Sequence, residues 1–150
     1  MNIIRTGDSM GGKQKRMTVS VFSGSVDRLT GLAMLVSGAV AMGMEVELFL
    51  QLWGGAYTFR KDVIQKNMNF SEFQNLGPEV GRRLQELKLP SWFDLLREAK
   101  KTGNLKIYVC STAAAIWNAR KEDFVDLVDD IIGAGEWVDK MSEADITLFV

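Results

Sequence analysis

Five short apolar or β-prone runs, 17–22, 45–52, 105–110, 129–133 and 145–150, are separated by segments of helical character. The second alternates charged and apolar residues before becoming apolar at Leu48-Phe49-Leu50, and as a set the strands read as apolar on both faces, the pattern of strands covered on two sides. Strand and helix taking turns in this way predict a parallel sheet with helical crossovers of one hand. The expected fold class is therefore α/β, with a five-stranded parallel sheet in a chain whose 150 residues suit one domain.

Local signals place the helices. Ser23-Gly24-Ser25 ends the first strand, and Asp27 precedes a long apolar segment over 29–42. That segment is apolar nearly all round, so it is expected to be covered on more than one side. Gly43 stops it, and Trp53-Gly54-Gly55 breaks the second strand. A short helix is expected over 56–66, and a weak one over 78–88 with Val80, Leu84 and Leu87 at helical spacing. Pro90-Ser91 opens a further helix that Thr102-Gly103-Asn104 closes. Helices near 113–119, 122–128 and 136–142 complete the pattern. Residues 1–16, glycine-containing, net positive and without apolar periodicity, read as a flexible N-terminal leader, leaving 17–150 as the folded domain.

Several function classes fall away. With 18 basic residues scattered against 19 acidic ones, no basic stripe for nucleic acid exists. The longest uncharged run, 29–44, is shorter than the roughly 20 residues a membrane span needs, so a buried core helix is expected there. The chain has no histidine, which removes Cys-His and Ser-His dyads and the usual zinc and haem ligands, and no metal or other cofactor is expected. The turn Gly24-Ser25-Val26-Asp27-Arg28 is neither a dinucleotide fingerprint nor a phosphate loop followed by Gly-Lys-Ser/Thr. One cysteine permits no internal disulfide, and a reducing, cytoplasmic setting is expected.

That cysteine, Cys110, ends the third strand immediately before Ser111-Thr112 and a helix-forming alanine run. Ligands of open parallel sheets gather beyond the strands' carboxyl ends, and a helix start favours a thiolate. Two readings follow from the residues. Cys110 is a small, inert core residue, or it is a nucleophile at an exposed sheet edge that accepts and donates an atom such as sulfane sulfur. In the second reading Ser111, Thr112, Gly24, Ser25, Trp53 and Gly54 form the pocket and its anion-stabilising shell. Trp117 and Trp137 read as core or subunit contacts, and Arg28 as a solvated charge or a holder of an anion.

The stretches Val21-Phe22-Ser23-Gly24-Ser25-Val26-Asp27, Phe49-Leu50-Gln51-Leu52-Trp53-Gly54, Ile107-Tyr108-Val109-Cys110-Ser111 and Glu143-Ala144-Asp145-Ile146-Thr147-Leu148-Phe149 together resemble the DsrE/DsrF-like family, in its peroxiredoxin-like branch. The resemblance runs in order from about residue 17 to 150 and implies a three-layer α/β/α fold in homotrimers or homohexamers. It also implies sulfur trafficking, with Cys110 taking sulfur as a persulfide or thiosulfonate and passing it to a TusA-type carrier or a rhodanese. A second cysteine, which members of this branch can carry, is missing here, so a mechanism with an internal resolving thiol has no residue to use, and the peroxiredoxin label no support. The rival readings are a non-catalytic subunit of a sulfur-relay assembly, a small-molecule or nucleotide-binding module built on Ser23-Gly24-Ser25, and a membrane-attached protein.

Overall fold

Parallel pairing of five strands organises the chain, as seen in a computed structural model that describes residues 12–150. The strands are β1 (Arg16–Val21), β2 (Glu45–Leu50), β3 (Leu105–Cys110), β4 (Asp130–Ile132) and β5 (Ile146–Phe149), in the spatial order β4-β3-β2-β1-β5. Every pairing is parallel, with Val19 opposite Leu48 and Leu148, and Leu48 opposite Ile107. The five-stranded α/β sheet expected from the sequence is the fold observed. Most of the expected leader lies outside the described residues, and β1 already begins at Arg16.

The helices are α1 (Val26–Ala41), α2 (Gly77–Glu86), α3 (Trp92–Thr102), α4 (Ser111–Ile116) and α5 (Ala134–Ser142). Alternation along the strands gives the sheet two distinct faces. Val19, Val21, Leu48, Leu50, Ile107 and Val109 belong to the face that α1 and α3 cover side by side, and all six are fully buried. Ser20, Glu47, Phe49 and Tyr108 point to the other face, where α5 lies. There Trp137 is 1% exposed, stacks on Phe49 at 5.0 Å and donates its indole N–H to the Ser20 hydroxyl at 2.8 Å. The arrangement has three layers, the third a single helix.

Termini of the helices follow from their sequences. Gly43, at φ +79°, ends α1 in the left-handed conformation. Its N–H donates to the Val40 carbonyl at 2.9 Å and that of Met44 to the Ala39 carbonyl at 3.0 Å, which satisfies two of the last free acceptors. At the start of α3 the Ser91 hydroxyl accepts from the Asp94 N–H at 3.1 Å, and the Asp94 carboxylate accepts from the Ser91 N–H at 3.3 Å.

Three expectations need correction. The helix predicted over 56–66 is instead a wide five-residue turn, Leu52–Ala56, followed by irregular backbone and a short turn at Ile64–Lys66. Glycines 54 and 55 let the chain coil directly off β2, so the helical turn comes early and does not propagate. The helix predicted over 122–128 reduces to one turn, Lys121–Asp123, because Phe124 is held extended beside Arg60 in an antiparallel bridge and the Val125 N–H donates to the Phe59 carbonyl at 2.9 Å. Finally, α1 buries only one side, through Leu29, Leu32, Ala33, Val36 and Ala39. Met34, Leu35 and Met42 stay exposed, against the expectation of cover on several sides.

Candidate functional site

The carboxyl ends of β1, β2 and β3 form one edge, and the loops leaving β1 and β2 touch there. Gly24 lies against the Thr58 side chain and the Gly54 carbonyl, Gly54 against the Phe22 carbonyl, and Gly55 against the Val21 carbonyl, so a Cβ on any of the three would collide. These glycines are present for closeness of backbone rather than for turn conformation. The Thr58 hydroxyl donates to the Gly54 carbonyl at 2.9 Å, and Leu52 at the start of the turn sits at φ +51°, a conformation few residues other than glycine adopt.

A cavity of about 590 Å³ opens over this contact. Gly24, Ser25, Trp53 and Gly54, expected as pocket residues, all line it. Trp53 stands 62% exposed at this edge, as a wall rather than core. The structure adds Tyr57, Thr58, Lys66, Asn67 and Trp117. The Tyr57 and Trp117 rings meet at 4.5 Å, and the Trp117 indole N–H is buried without an acceptor among the described residues. The Asn67 amide donates to the Gly24 carbonyl at 2.6 Å, which ties the segment after the wide turn to the β1–α1 loop. Ser25 shares a 2.9 Å hydroxyl contact with Ser23. Asn67 and Asn69 form a side-chain turn, the Asn69 N–H donating to the Asn67 side-chain oxygen at 3.2 Å. That Asn-x-Asn spacing is the one sequence signal that could have marked the segment.

Cys110, Ser111 and Thr112 do not line this cavity. Cys110 is the last residue of β3 and caps the start of α4, as expected, but it is only 7% exposed, so the exposed sheet-edge thiol predicted from the sequence is a buried one. It continues the β3 face that carries Tyr108, and it pairs with Ile132 of β4. Ser111 and Thr112, by contrast, are exposed on the first turn of α4. The reason for the separation is parity. Residues of β3 alternate between faces, and the even-numbered side is the one α5 covers.

On that face lies a second polar cluster that the sequence reading missed. Glu47 is 3% exposed in the middle of β2. Its Oε1 accepts from the Lys140 ammonium at 3.0 Å and from the Tyr108 hydroxyl at 3.3 Å, while Arg16 approaches Oε2 at 3.8 Å. Burial raises the Tyr108 pKa above its usual value and the Glu47 charge adds to this, partly offset by Lys140. For Lys140 burial works against the charge, but the Glu47 carboxylate outweighs it and the pKa is raised. The cluster is a charge-compensated seam between sheet and α5, in which Glu47 Oε2 is buried without a hydrogen bond among the described residues. The alternation Glu45-Val46-Glu47-Leu48 carried its signal, since a charged residue at an inward position demands a partner.

Arg28 is exposed and meets no part of the cavity. Asp27 does more than occupy the first turn of α1. Burial would raise its pKa, but the Ser71 hydroxyl and N–H, the latter at 2.9 Å, donate to the carboxylate and bring it down to about 2. The link fastens segment 67–73 to α1, beside the 2.7 Å bond from the Val26 N–H to the Asn69 carbonyl.

With this geometry in place, comparison with known proteins locates the chain. Residues 58–149 match the model of the DsrE/DsrF/DrsH-like family, which is more than half of the sequence. The uncharacterized protein YrkE of Bacillus subtilis is 21% identical over a 160-residue alignment that covers 91% of this chain and 97% of that protein. Among solved structures, YchN of E. coli superposes with a TM-score of 0.57 at 15% identity, covering 92% of this chain and all of that one. The protein of unknown function MTH1491 from Methanobacterium thermoautotrophicum superposes at 0.56, again at 15% identity, over 91% of this chain and all of that one. At such identities the superpositions speak for the fold.

Two outcomes test the site's construction. Gly54→Ala should destabilise the protein by about 1–3 kcal/mol through forced displacement of the β1–α1 loop, whereas Gly31→Ala, in an α1 position with open space around it, should stabilise by about 0.5–1 kcal/mol. Urea denaturation of both variants checks the pair, and equal effects would mean the loops are not in close contact. The Asp27 carboxylate, depressed in the folded state, contributes stability that is complete above its unfolded value near 4 and is lost as pH falls from about 4 to about 2. The stability difference between wild type and Asp27→Asn should therefore shrink over that interval, as read by denaturation at each pH.

Proposed function

The chain belongs to the DsrE/DsrF/DrsH-like family, and we propose that it serves sulfur relay by carrying sulfane sulfur on Cys110, working as a symmetric homotrimer or homohexamer. The family is generally linked to sulfur relay. The observation that carries the reading for this chain is the position of its one cysteine, at the carboxyl end of a central-sheet strand where the helix begins. The chemistry is a displacement. The Cys110 thiol gives its proton to solvent, and the thiolate attacks a sulfane sulfur of the donor; with tetrathionate a new S–S bond forms to Cys110 while the donor's central S–S bond breaks and thiosulfate leaves. The product is a cysteine thiosulfonate adduct. A thiolate of a partner of the TusA-carrier or rhodanese type then attacks the sulfane sulfur of that adduct; the bond to Cys110 breaks, the Cys110 thiolate leaves and is reprotonated, and the thiosulfonate group passes to the partner.

Burial of Cys110 sets the terms of this exchange. A thiolate with so little exposure reacts only when the α4 start or its neighbours move aside, so loading is gated and the loaded state is shielded from solvent. No second cysteine is present to discharge it internally. Assembly has its own support in the exposed apolar side chains. Phe22 and Phe149 stack at 6.3 Å on the surface, Phe149 being 66% exposed, and the outward side of α1 carries Met34, Leu35 and Met42. Closed symmetry is the usual way to cover such surface. No helix among the described residues is long and apolar enough to cross a membrane, and the proposed setting is the cytoplasm.

The burial also favours a second reading, in which Cys110 is packing and the chain is a non-catalytic subunit of a sulfur-relay assembly. Mass spectrometry after treatment with tetrathionate or polysulfide separates the two. The wild type should gain sulfur mass that dithiothreitol removes, and Cys110→Ala should gain none while keeping its fold and assembly. A wild type that never loads, or a variant that loads equally, overturns the carrier reading and leaves the assembly subunit. Light scattering should give a mass of three or six times 16.7 kDa, and a monomer at micromolar concentration would overturn the proposed symmetry.

A further inference from the structure

A mainly apolar cavity lies apart from both Cys110 and the sheet-edge pocket. It measures about 670 Å³ and lies between the start of α1, the 64–70 segment, α2 and the start of α3. Val26, Ile64, Phe70, Val80, Leu84 and Trp92 give it an apolar lining, within the size range of small-molecule sites. The roof is α2, whose charged side is satisfied by its own ion pairs, Glu79 with Arg82 and Arg83, and Arg82 with Glu86.

The roof also holds an unexplained glycine. Gly81 sits in the middle of α2 and lines the cavity, and a Cβ there would meet nothing within 4 Å. Glycine weakens a helix interior, and here neither close backbone approach nor positive φ requires it. Its one structural effect is to leave the cavity open.

Charge at the rim is uneven in its commitments. The Asp27 carboxylate is taken by Ser71, and the Asp94 carboxylate by the N–H and hydroxyl of Ser91. Arg97 stands at the border with a shallower cleft of about 440 Å³, which also contains Lys61. Its half-exposed guanidinium rests on the Phe93 ring at 4.7 Å and pairs loosely with Asp94 at 3.6 Å without a hydrogen bond, so among the described residues its N–H donors are not engaged. An apolar chamber ending at such a group fits an amphipathic anion.

We infer that this cavity binds a linear apolar chain bearing a terminal carboxylate, with the chain under α2 and the carboxylate on Arg97. The site is independent of the sulfur chemistry, and Cys110→Ala should bind as the wild type does. Decanoate, titrated below its micellar concentration against the full chain, should raise the melting temperature and show intermolecular nuclear Overhauser contacts to Phe70 and Leu84. Gly81→Leu, which fills the chamber, should weaken binding at least tenfold without lowering the melting temperature of the unliganded protein; Val80→Phe serves if that variant does not fold. Arg97→Gln should weaken decanoate about tenfold and leave decanol unchanged. Failure of decanoate to bind up to its micellar limit, or binding by a folded Gly81→Leu variant equal to the wild type, overturns the site. Equal decanoate affinity in Arg97→Gln overturns the placement of the carboxylate.

Discussion

A one-way march of strands governs this molecule. From β1 to β4 each strand is laid on the same side of its predecessor, and right-handed crossovers then put the intervening helices on one face. Only the return from β4 to β5, at the opposite edge, passes the other face, and it brings α5 alone. One nine-residue helix cannot cover five strands. The sheet is consequently oily on the side of α1 and α3 and mixed on the side of α5, where the Ser20 hydroxyl accepts from Trp137 and Glu47 Oε1 from Lys140.

The same imbalance explains where apolar surface is left over. Thr147 and Phe149 of β5 are exposed on the mixed face, and Phe149 stacks on Phe22. An edge strand of this kind is a ready template for pairing with another chain. The direction of Cys110 follows from the alternation of side chains along β3. As an even-numbered residue of β3 it faces the α5 side, away from the cavity over the β1 and β2 loops.

How much of this was legible beforehand depended on whether the signal was local. Strand β3 was fixed to the residue by its apolar run and by the Thr102-Gly103-Asn104 stop, and the ends of α1 and α3 by Gly43 and Pro90-Ser91, because each of these acts within a turn of chain. Segment 52–66 was misread because its conformation is set by contacts with residues thirty positions earlier: Gly54 and Gly55 are shaped by the carbonyls of Phe22 and Val21. Of the expected site residues, Gly24, Ser25, Trp53 and Gly54 do converge, since closeness of two strand ends follows from topology. Cys110 does not join them, because side-chain parity at a strand's last residue was not used. Trp117, expected as a core or subunit contact, instead walls the pocket; Asn67 was marked only by its Asn-x-Asn spacing, and nothing around Lys66 distinguishes a pocket wall from ordinary surface.

The two cavities share a boundary, and this bears on how the molecule works. Asn67 lines both, holding the Gly24 carbonyl on one side while the chain runs on through Asn69 and Ser71 to grip α1 on the other. The segment thus behaves as a strap between the sheet-edge pocket and the chamber beneath α2, fastened by a few hydrogen bonds rather than by a packed core. Elements held this way open at lower free energy than the strands they cross. Asn67 is therefore the residue at which the wall of the sheet-edge pocket continues into the wall of the chamber beneath α2.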